Sequence, residues 1–183
     1  NALPRMGPLV ISEIMYHPAD ARAEYVELVN ITAHPVALYD AAFPSNTWAL
    51  SGAVAFDFPM NVVIPACGSV LVCGTNVTSF RSSYGLSLQQ AVLGPWTGSL
   101  DNVGETLRLR RPGTPELDGF VPRIRVDHVT YLPTAPWPGV AHGGGPSLER
   151  MPLLGYGNDP NHWGVSVNGG TPGVAGSYCP SAL

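Results

Sequence analysis

The fold class of this chain of 183 residues is decided by the stretch EYVELVNI, residues 24–31. Val26 and Leu28 fall on one face and the residues between them on the other, which is the period of a strand rather than of a helix. Just before it, residues 9–16 form an apolar, β-rich run that stops at His17-Pro18. The two segments predict neighbouring strands at the start of the fold.

Short β-rich segments continue along the chain, and Gly, Pro, Asn or Asp separates most of them. They cover residues 36–39, 47–50, 53–58, 62–64, 69–74, 105–111, 124–131 and 147–151. About nine to ten strands at this spacing predict an all-β fold of two mainly antiparallel sheets, or a barrel, with long ordered loops. Val126 and Val129 are apolar residues of one predicted strand but fall on opposite faces of it, which predicts a β-bulge near His128. Residues 76–84 predict one short helix.

The composition supports short elements around one core. Glycine and proline number 21 and 19, with no collagen-like period, and charged residues make up only 12%, about half of the ~25% usual in globular domains. These values exclude collagen, coiled coils and charge-driven disorder. We expect the core to contain eight apolar residues from the predicted strands and loops: Ile14, Val26, Leu28, Leu71, Leu107, Leu109, Leu148 and Trp163.

The net charge and the hydropathy of the chain limit the classes of partner that it can bind. The net charge is −4, with nine arginines and no lysine, so no general attraction to nucleic acid is expected. The one cluster of basic residues, at residues 108–125, is interleaved with acidic residues, which argues against a nucleic-acid site. No apolar run approaches the ~18 residues of a membrane span. We predict no membrane span in this chain, and its oligomeric state is left open.

No catalytic pattern is present in the sequence. It contains no HExxH, no CxxC and no GxSxG motif, and its five histidines have no metal-ligand spacing to one another. We therefore predict no enzyme activity, no catalytic residue and no cofactor.

Three carboxylates are the candidate metal ligands. If the first two strands pair, Glu13 and Glu27 lie together on one sheet face, and Asp101 is in an oxygen-rich loop. Carboxylates in that arrangement suit calcium or acid–base chemistry. The favoured interpretation is structural pairing or simple solvent exposure, because Arg108 and Arg110 alternate along a strand and are available to pair with the glutamates. The Asp101 loop is predicted to be a hairpin turn before the strand at residues 105–111.

Two tryptophans are candidate ligand platforms. Trp96 and Trp137 lie in Pro/Gly-rich loops, where an indole ring can stack on a sugar. A ring held between two prolines, as Trp137 is, more often closes the end of a hydrophobic core. The sequence is compatible with both interpretations.

The three cysteines allow one geometric prediction. Cys67 and Cys73 are six residues apart in an extended segment, so about 20 Å separates them at ~3.3 Å per residue, beyond the reach of a disulfide. We expect Cys73 to be a buried free thiol. Cys179 is either free or paired with another residue, with Cys67 as the candidate.

Eight segments, in order over residues 8–173, resemble the lamin-tail domain family, in the type found in bacterial extracytoplasmic proteins. They are ISEIMYHP (11–18), EYVELVN (24–30), VIPACGSVLV (63–72), GSLDNVGETL (98–107), APWP (135–138), GGPSLE (144–149), NHW (161–163) and GGTPG (169–173). The chain departs from the family pattern at Cys67 and in inserts around residues 40–47 and 113–123.

The resemblance implies an immunoglobulin-like β-sandwich over residues 8–173. Residues 1–7 would be a leader that includes a candidate cloning scar, and residues 174–183 a tail. It also implies a non-catalytic interaction or adhesion module of a larger secreted or cell-envelope bacterial protein, with a protein or cell-surface polymer as partner. The alternative is a carbohydrate- or calcium-binding accessory domain of an extracellular hydrolase.

Overall fold

The computed structural model describes residues 6–20 and 22–174, and this part of the chain is built from strands with one α-helix. The predicted leader and tail therefore lie largely outside the described residues. The strands are β1 (Leu9–Met15), β2 (Tyr25–Asn30), β3 (Val36–Ala37), β4 (Ala49–Gly52), β5 (Val54–Asp57), β6 (Val63–Ile64), β7 (Ser69–Cys73), β8 (Val92–Leu93), β9 (Thr97–Gly98), β10 (Glu105–Pro112), β11 (Arg123–Tyr131), β12 (Leu148–Arg150) and β13 (Trp163–Val165). The helix is α1 (Val77–Tyr84), and short 3-10 turns span Gly139–Ala141 and Pro160–His162. The all-β prediction is confirmed.

The strands form two larger sheets and one small one. The six-stranded sheet has the order β13-β12-β1-β2-β7-β8, the five-stranded sheet β11-β10-β4-β5-β9, and β3 pairs with β6. Among the described strands, only β7 and β8 pair in parallel. All ten predicted strands are present, and β8, β9 and β13 are additional.

One apolar core lies between the two larger sheets. It takes Ile14 and Leu28 from the six-stranded sheet and Leu107 and Leu109 from the five-stranded sheet, all completely buried. Seven of the eight predicted core residues belong to it. The exception is Leu71, which belongs to a separate cluster with Met15, Tyr25, Cys73, Phe80 and Val92. Because side chains alternate along β7, Val70 and Val72 occupy the main core and Leu71 faces the other side.

Helix α1 covers part of that other side of the six-stranded sheet. It forms where predicted: the Asn76 side chain caps it by accepting from the amides of Thr78 and Ser79, and Gly85 ends it in the left-handed region at φ 63°. Phe80 is its buried residue and packs edge-on against Tyr25 at 5.7 Å. A further cluster covers Val10 and Val29 on this side, so β1 and β2 are buried on both faces.

Two β-bulges shape the contact between the sheets. The pairing of β1 with β2 shifts at Ser12. The pairing of β10 with β11 shifts at Val126, two residues from the position predicted. At this contact, Asp127 Oδ2 accepts from the Ile11 amide at 2.9 Å and pairs with Arg150, which donates to the Ile11 carbonyl at 3.2 Å. A buried ion pair thus replaces ladder hydrogen bonds at the β1 bulge.

The cysteine prediction is confirmed for the described residues. Cys67 is disulfide-bonded and Cys73 is a buried free thiol, so the two do not bond to each other. Burial raises the pKa of the Cys73 thiol, which keeps it protonated. The prediction for Cys179 concerns a residue outside the described part.

Candidate functional site

Glu13 and Glu27 are direct cross-strand neighbours in β1 and β2, as the sequence predicted. Glu149 of β12 is the partner of Glu13 on its other side, so three glutamates form a row across three strands. The bulge at Ser12 is responsible, because one extra residue in β1 brings Glu13 opposite Glu27. Glu13 and Glu27 are each 2% exposed.

Hydroxyl and backbone donors satisfy the two buried carboxylates. Glu13 Oε1 accepts from the Tyr25 hydroxyl at 2.6 Å, from the Ser147 hydroxyl, and from the Thr171 amide at 2.7 Å. Glu27 Oε1 accepts from Ser12 Oγ at 2.9 Å, and its Oε2 accepts from the amide of Gly173 at 2.8 Å. The segment 169–173 therefore covers the glutamates and is attached through them to β1 and β2.

Among residues 6–20 and 22–174, no arginine hydrogen-bonds Glu13 or Glu27, so the predicted pairing with Arg108 and Arg110 is wrong. The alternative prediction of solvent exposure is also wrong, because both glutamates are 2% exposed. Both arginines lie on β10 in the other sheet, opposite His128 and Arg125 of β11. Within the described ranges, the ion pairs are Arg22–Asp20, Arg123–Asp57 and Arg150–Asp127. The two glutamates instead accept hydrogen bonds from neutral hydroxyl and amide donors, and this is their structural role.

The pKa of Glu27 reflects burial beside a second carboxylate and without a cationic partner. Burial, and then the neighbouring Glu13 carboxylate, raise its pKa from 4.5 to about 7. The same two causes raise the pKa of Glu149. Burial also raises the pKa of Tyr25 far above its ordinary range, so its hydroxyl remains a donor to Glu13.

Asp101 lies in the turn before β10. Its Oδ1 accepts from the Val103 amide at 2.9 Å, and its carbonyl accepts from the Tyr131 hydroxyl at 2.9 Å. The predicted turn before β10 is present, but it is not a hairpin turn, because the preceding strand, β9, pairs with β5 and not with β10. Over residues 6–20 and 22–174, no group of three or more His, Cys, Asp or Glu side chains is placed to hold a metal ion. The structure brings Glu13 and Glu27 together but does not bring Asp101 into a metal-binding group with them.

Neither candidate tryptophan offers a ring face for stacking. Trp96 and Trp137 are each 5% exposed and belong to the main core. The Trp137 ring packs against Trp163 at 5.8 Å, which confirms that it closes the core. The platform interpretation is wrong for both. Trp96 keeps one polar feature, since its Nε1 is buried and has no hydrogen-bond partner in the described structure.

A cleft of about 310 Å³ opens beside Trp96. It is lined by a mixture of polar, charged and apolar side chains and by glycines: Tyr16, His17, Pro18, Arg22, Ala23, Glu24, Gly74, Trp96, Gly98, Ser99 and Asn102. At its edge, His17 Nδ1 lies 3.2 Å from His142 Nδ1. Sequence analysis identified Trp96 alone among the cleft residues. The lining residues come from segments that are far apart in the sequence, so no local spacing of residues could predict the cleft.

The loop between β10 and β11 displays apolar side chains at its tip. Leu117 is fully exposed and Phe120 is 60% exposed. Three hydrogen bonds lie within the loop. The Glu116 amide donates to the Phe120 carbonyl at 2.7 Å, the Gly119 amide donates to the Glu116 carbonyl at 2.9 Å, and the Phe120 amide donates to Asp118 Oδ1 at 2.9 Å. The loop is ordered while its two largest apolar side chains face solvent.

None of the helices in the described part of the chain has the length and hydropathy needed to cross a bilayer. Comparison of the chain with protein-family models, with curated proteins and with solved structures finds no match.

Proposed function

We propose that this chain is a non-catalytic interaction module, folded as an immunoglobulin-like sandwich, from a larger secreted or cell-envelope bacterial protein. Two mainly antiparallel sheets around one core are compatible with that fold. The lamin-tail resemblance supports both the fold and the setting. The partner would be a protein or a polymer of the cell surface.

The observation that carries the proposal is the β10–β11 loop tip. Exposed apolar side chains on a preordered loop are typical of contact surfaces, because little conformational entropy is lost when such a loop binds. Leu117 and Phe120 would insert into an apolar pocket of the partner. Glu116 and Asp118 beside them would form a polar rim.

The glutamate pair supports a non-catalytic role. A general acid or base must be within hydrogen-bond reach of a substrate. Glu13 and Glu27 are covered by the segment 169–173 and bonded to hydroxyl and amide donors on β1, β2 and that segment. Their position accounts for the anchoring of this segment without any reaction.

The test is retention of the labelled chain on the insoluble envelope fraction of the source cells. We expect the wild-type chain to be retained and the double variant Leu117→Ser/Phe120→Ser to be released. Leu88→Ser is the matched control, because Leu88 is also largely exposed but lies in another loop. Absence of wild-type retention, or equal retention of wild type and tip variant, would contradict the proposal.

A second candidate function, binding of carbohydrate as an accessory domain, is favoured by one observation. The cleft beside Trp96 is lined by both polar and apolar side chains, the mixture that a sugar ring requires. This cleft is separate from the loop tip, so the second function does not depend on the first.

A further inference from the structure

Three arginines share the outer face of the five-stranded sheet, the face directed away from the main core. Leu107 and Leu109 of β10 point into the core. Side chains alternate along a strand, so Arg108 and Arg110 point to the outer face. Arg125 of β11 is the direct cross-strand partner of Arg110, and such partners lie on the same face. Arg125 is exposed and the other two arginines are partly exposed, so a ligand can reach all three.

These arginines have no acidic partner. Within residues 6–20 and 22–174, none of the three forms an ion pair or a side-chain hydrogen bond. All 13 aspartates and glutamates of the chain lie in those ranges, so no other side-chain carboxylate is available to supply the partner. Arg110 and Arg125 therefore face each other as like charges, an arrangement that destabilises a sheet.

The structure separates the acidic residues that are interleaved with these arginines in the sequence. Asp127 is buried on the inner side and pairs with Arg150. Two acidic residues are in the loop that joins β10 to β11, beyond the ends of both strands. Asp57 of β5 lies on the outer face but pairs with Arg123 at 3.2 Å. The signs that alternate in the sequence therefore do not alternate on this surface.

A neighbouring side chain responds to the positive charge. His128 is the cross-strand partner of Arg108. Burial, and then the charge of Arg125, lower the pKa of His128, and Arg108 lowers it as well. The imidazole is therefore neutral at neutral pH, and the positive charge of the outer face comes from the arginines.

The surroundings of the arginines distinguish between classes of polyanion. The hydroxyl groups of Thr106 and Thr130 lie 2.9 Å apart on the same face, and hydroxyls both donate to and accept from sugar hydroxyls. The outward residues of β4, β10 and β11 include no Phe, Tyr or Trp, the side chains on which the bases of a single strand stack. The net charge of −4 also repels a polymer as densely charged as a nucleic acid.

We propose that the outer face of the five-stranded sheet binds an acidic polysaccharide, whose carboxylate or sulfate groups pair with Arg108, Arg110 and Arg125. The planar guanidinium group suits this role because it donates two parallel hydrogen bonds to one such group. An anionic group bound between Arg110 and Arg125 replaces their repulsion by two attractions. The Thr106 and Thr130 hydroxyls contact the sugar hydroxyls beside it.

The experiment measures binding of the 183-residue chain to immobilised polygalacturonate and dextran sulfate by biolayer interferometry. Neutral dextran is the uncharged control, and a single-stranded DNA oligonucleotide represents the other class of polyanion. Each is tested at about 50 mM and about 200 mM NaCl, a range over which binding to a polyanion weakens strongly. We expect at least one acidic polysaccharide to bind more tightly than the DNA, to bind less tightly at the higher salt concentration, and neutral dextran not to bind.

Arg110→Gln and Arg125→Gln should each raise the Kd of the polysaccharide about fivefold, the upper range for a partly exposed ion pair. The triple variant with Arg108→Gln should raise it about a hundredfold if the three contributions add. Arg111→Gln is the matched control, because Arg111 is exposed on the same strand but points to the opposite side. Its Kd should match that of the wild type. Removing one of two like charges should leave the Tm of Arg125→Gln at or above that of the wild type, so weaker binding would not reflect unfolding.

Four outcomes would overturn the proposal. The first is no binding to either acidic polysaccharide at the lower salt concentration. The second is tighter binding of the DNA, which would make the partner a nucleic acid. The third is an equal loss of affinity in Arg111→Gln and Arg110→Gln, which would mean that only net charge matters. The fourth is loss of polysaccharide binding in Leu117→Ser/Phe120→Ser, which would place the binding at the loop tip. Unchanged binding in that variant would show that the two surfaces act separately.

Discussion

Substituting Glu27 with Gln should make the protein more stable at alkaline pH and remove much of its pH dependence. In the folded protein the pKa of Glu27 is raised from 4.5 to about 7. A carboxyl with a raised pKa binds more protons in the folded than in the unfolded state between these two values. Its contribution to stability is therefore greatest below pH 4.5 and declines as the pH rises to about 7.

The size of the effect follows from the shift. Each unit of pKa corresponds to about 1.36 kcal/mol, so ionised Glu27 costs the folded protein roughly 3 kcal/mol above pH 7. The conversion is appropriate because the side chain is 2% exposed, which leaves little solvent screening. Glutamine has a similar shape and no charge, so it avoids this cost.

The hydrogen bonds of Glu27 can be kept in the variant. The glutamine oxygen can accept from the Gly173 amide, which now donates to Oε2 at 2.8 Å. The glutamine NH₂ group can donate to Ser12 Oγ, and the Ser12 hydroxyl then donates to the carbonyl of residue 27, which lies 3.2 Å away. Ser12 and the Gly173 amide therefore both keep a hydrogen-bond partner in the variant.

The assay is urea unfolding of wild type and Glu27→Gln at pH 5, 6, 7 and 8. We expect the free energy of unfolding of the variant relative to wild type to increase over this range by roughly 3 kcal/mol. Glu116→Gln, at an exposed loop position, is the control and should follow wild type. Taking the difference removes the effects of Glu24 and Glu149, whose pKa values are also raised. Parallel curves for Glu27→Gln and wild type would refute the reasoning.

Three further predictions concern the rest of the fold. Arg150→Ala should lower the free energy of unfolding by about 3–5 kcal/mol in urea, because it leaves Asp127 charged and buried without its partner; a loss below about 1 kcal/mol would contradict the role of this pair. Non-reducing peptide mapping should recover Cys67 linked to Cys179, and a link between Cys67 and Cys73 would be incompatible with β7. Millimolar calcium should leave the Tm unchanged in thermal unfolding, because the two buried glutamates already bind protein donors; a rise with calcium would indicate a site that binds the native state.

Sequence alone predicts the strands best where alternation is long. β2 was predictable because Val26 and Leu28 alternate with polar or amphipathic neighbours, whereas β8 and β9 have two residues each and carry no period. Leu71 was assigned to the wrong cluster for a related reason. Its strand is buried on both faces, and a continuous apolar run does not tell which face meets which partner.

The candidate site was predictable only in part. Glu13 and Glu27 are 14 positions apart on strands that the sequence already paired, so their proximity could be expected. Their donors could not, because Thr171 lies 158 residues from Glu13 and Gly173 lies 146 residues from Glu27. The cleft beside Trp96 could not be predicted for the same reason, because segments far apart in the sequence form its lining.

The glutamate cluster gives a physical reason for the glycines of the GGTPG segment. Gly170 has φ 80°, and a Cβ there would lie 2.1 Å from the Tyr25 hydroxyl oxygen and 3.2 Å from Glu13 Oε1. Gly173 also has φ 80°, and its amide donates to Glu27. Only glycine permits this conformation at so close an approach. The segment is therefore matched to two buried carboxylates, and those carboxylates serve to hold it on the sheet.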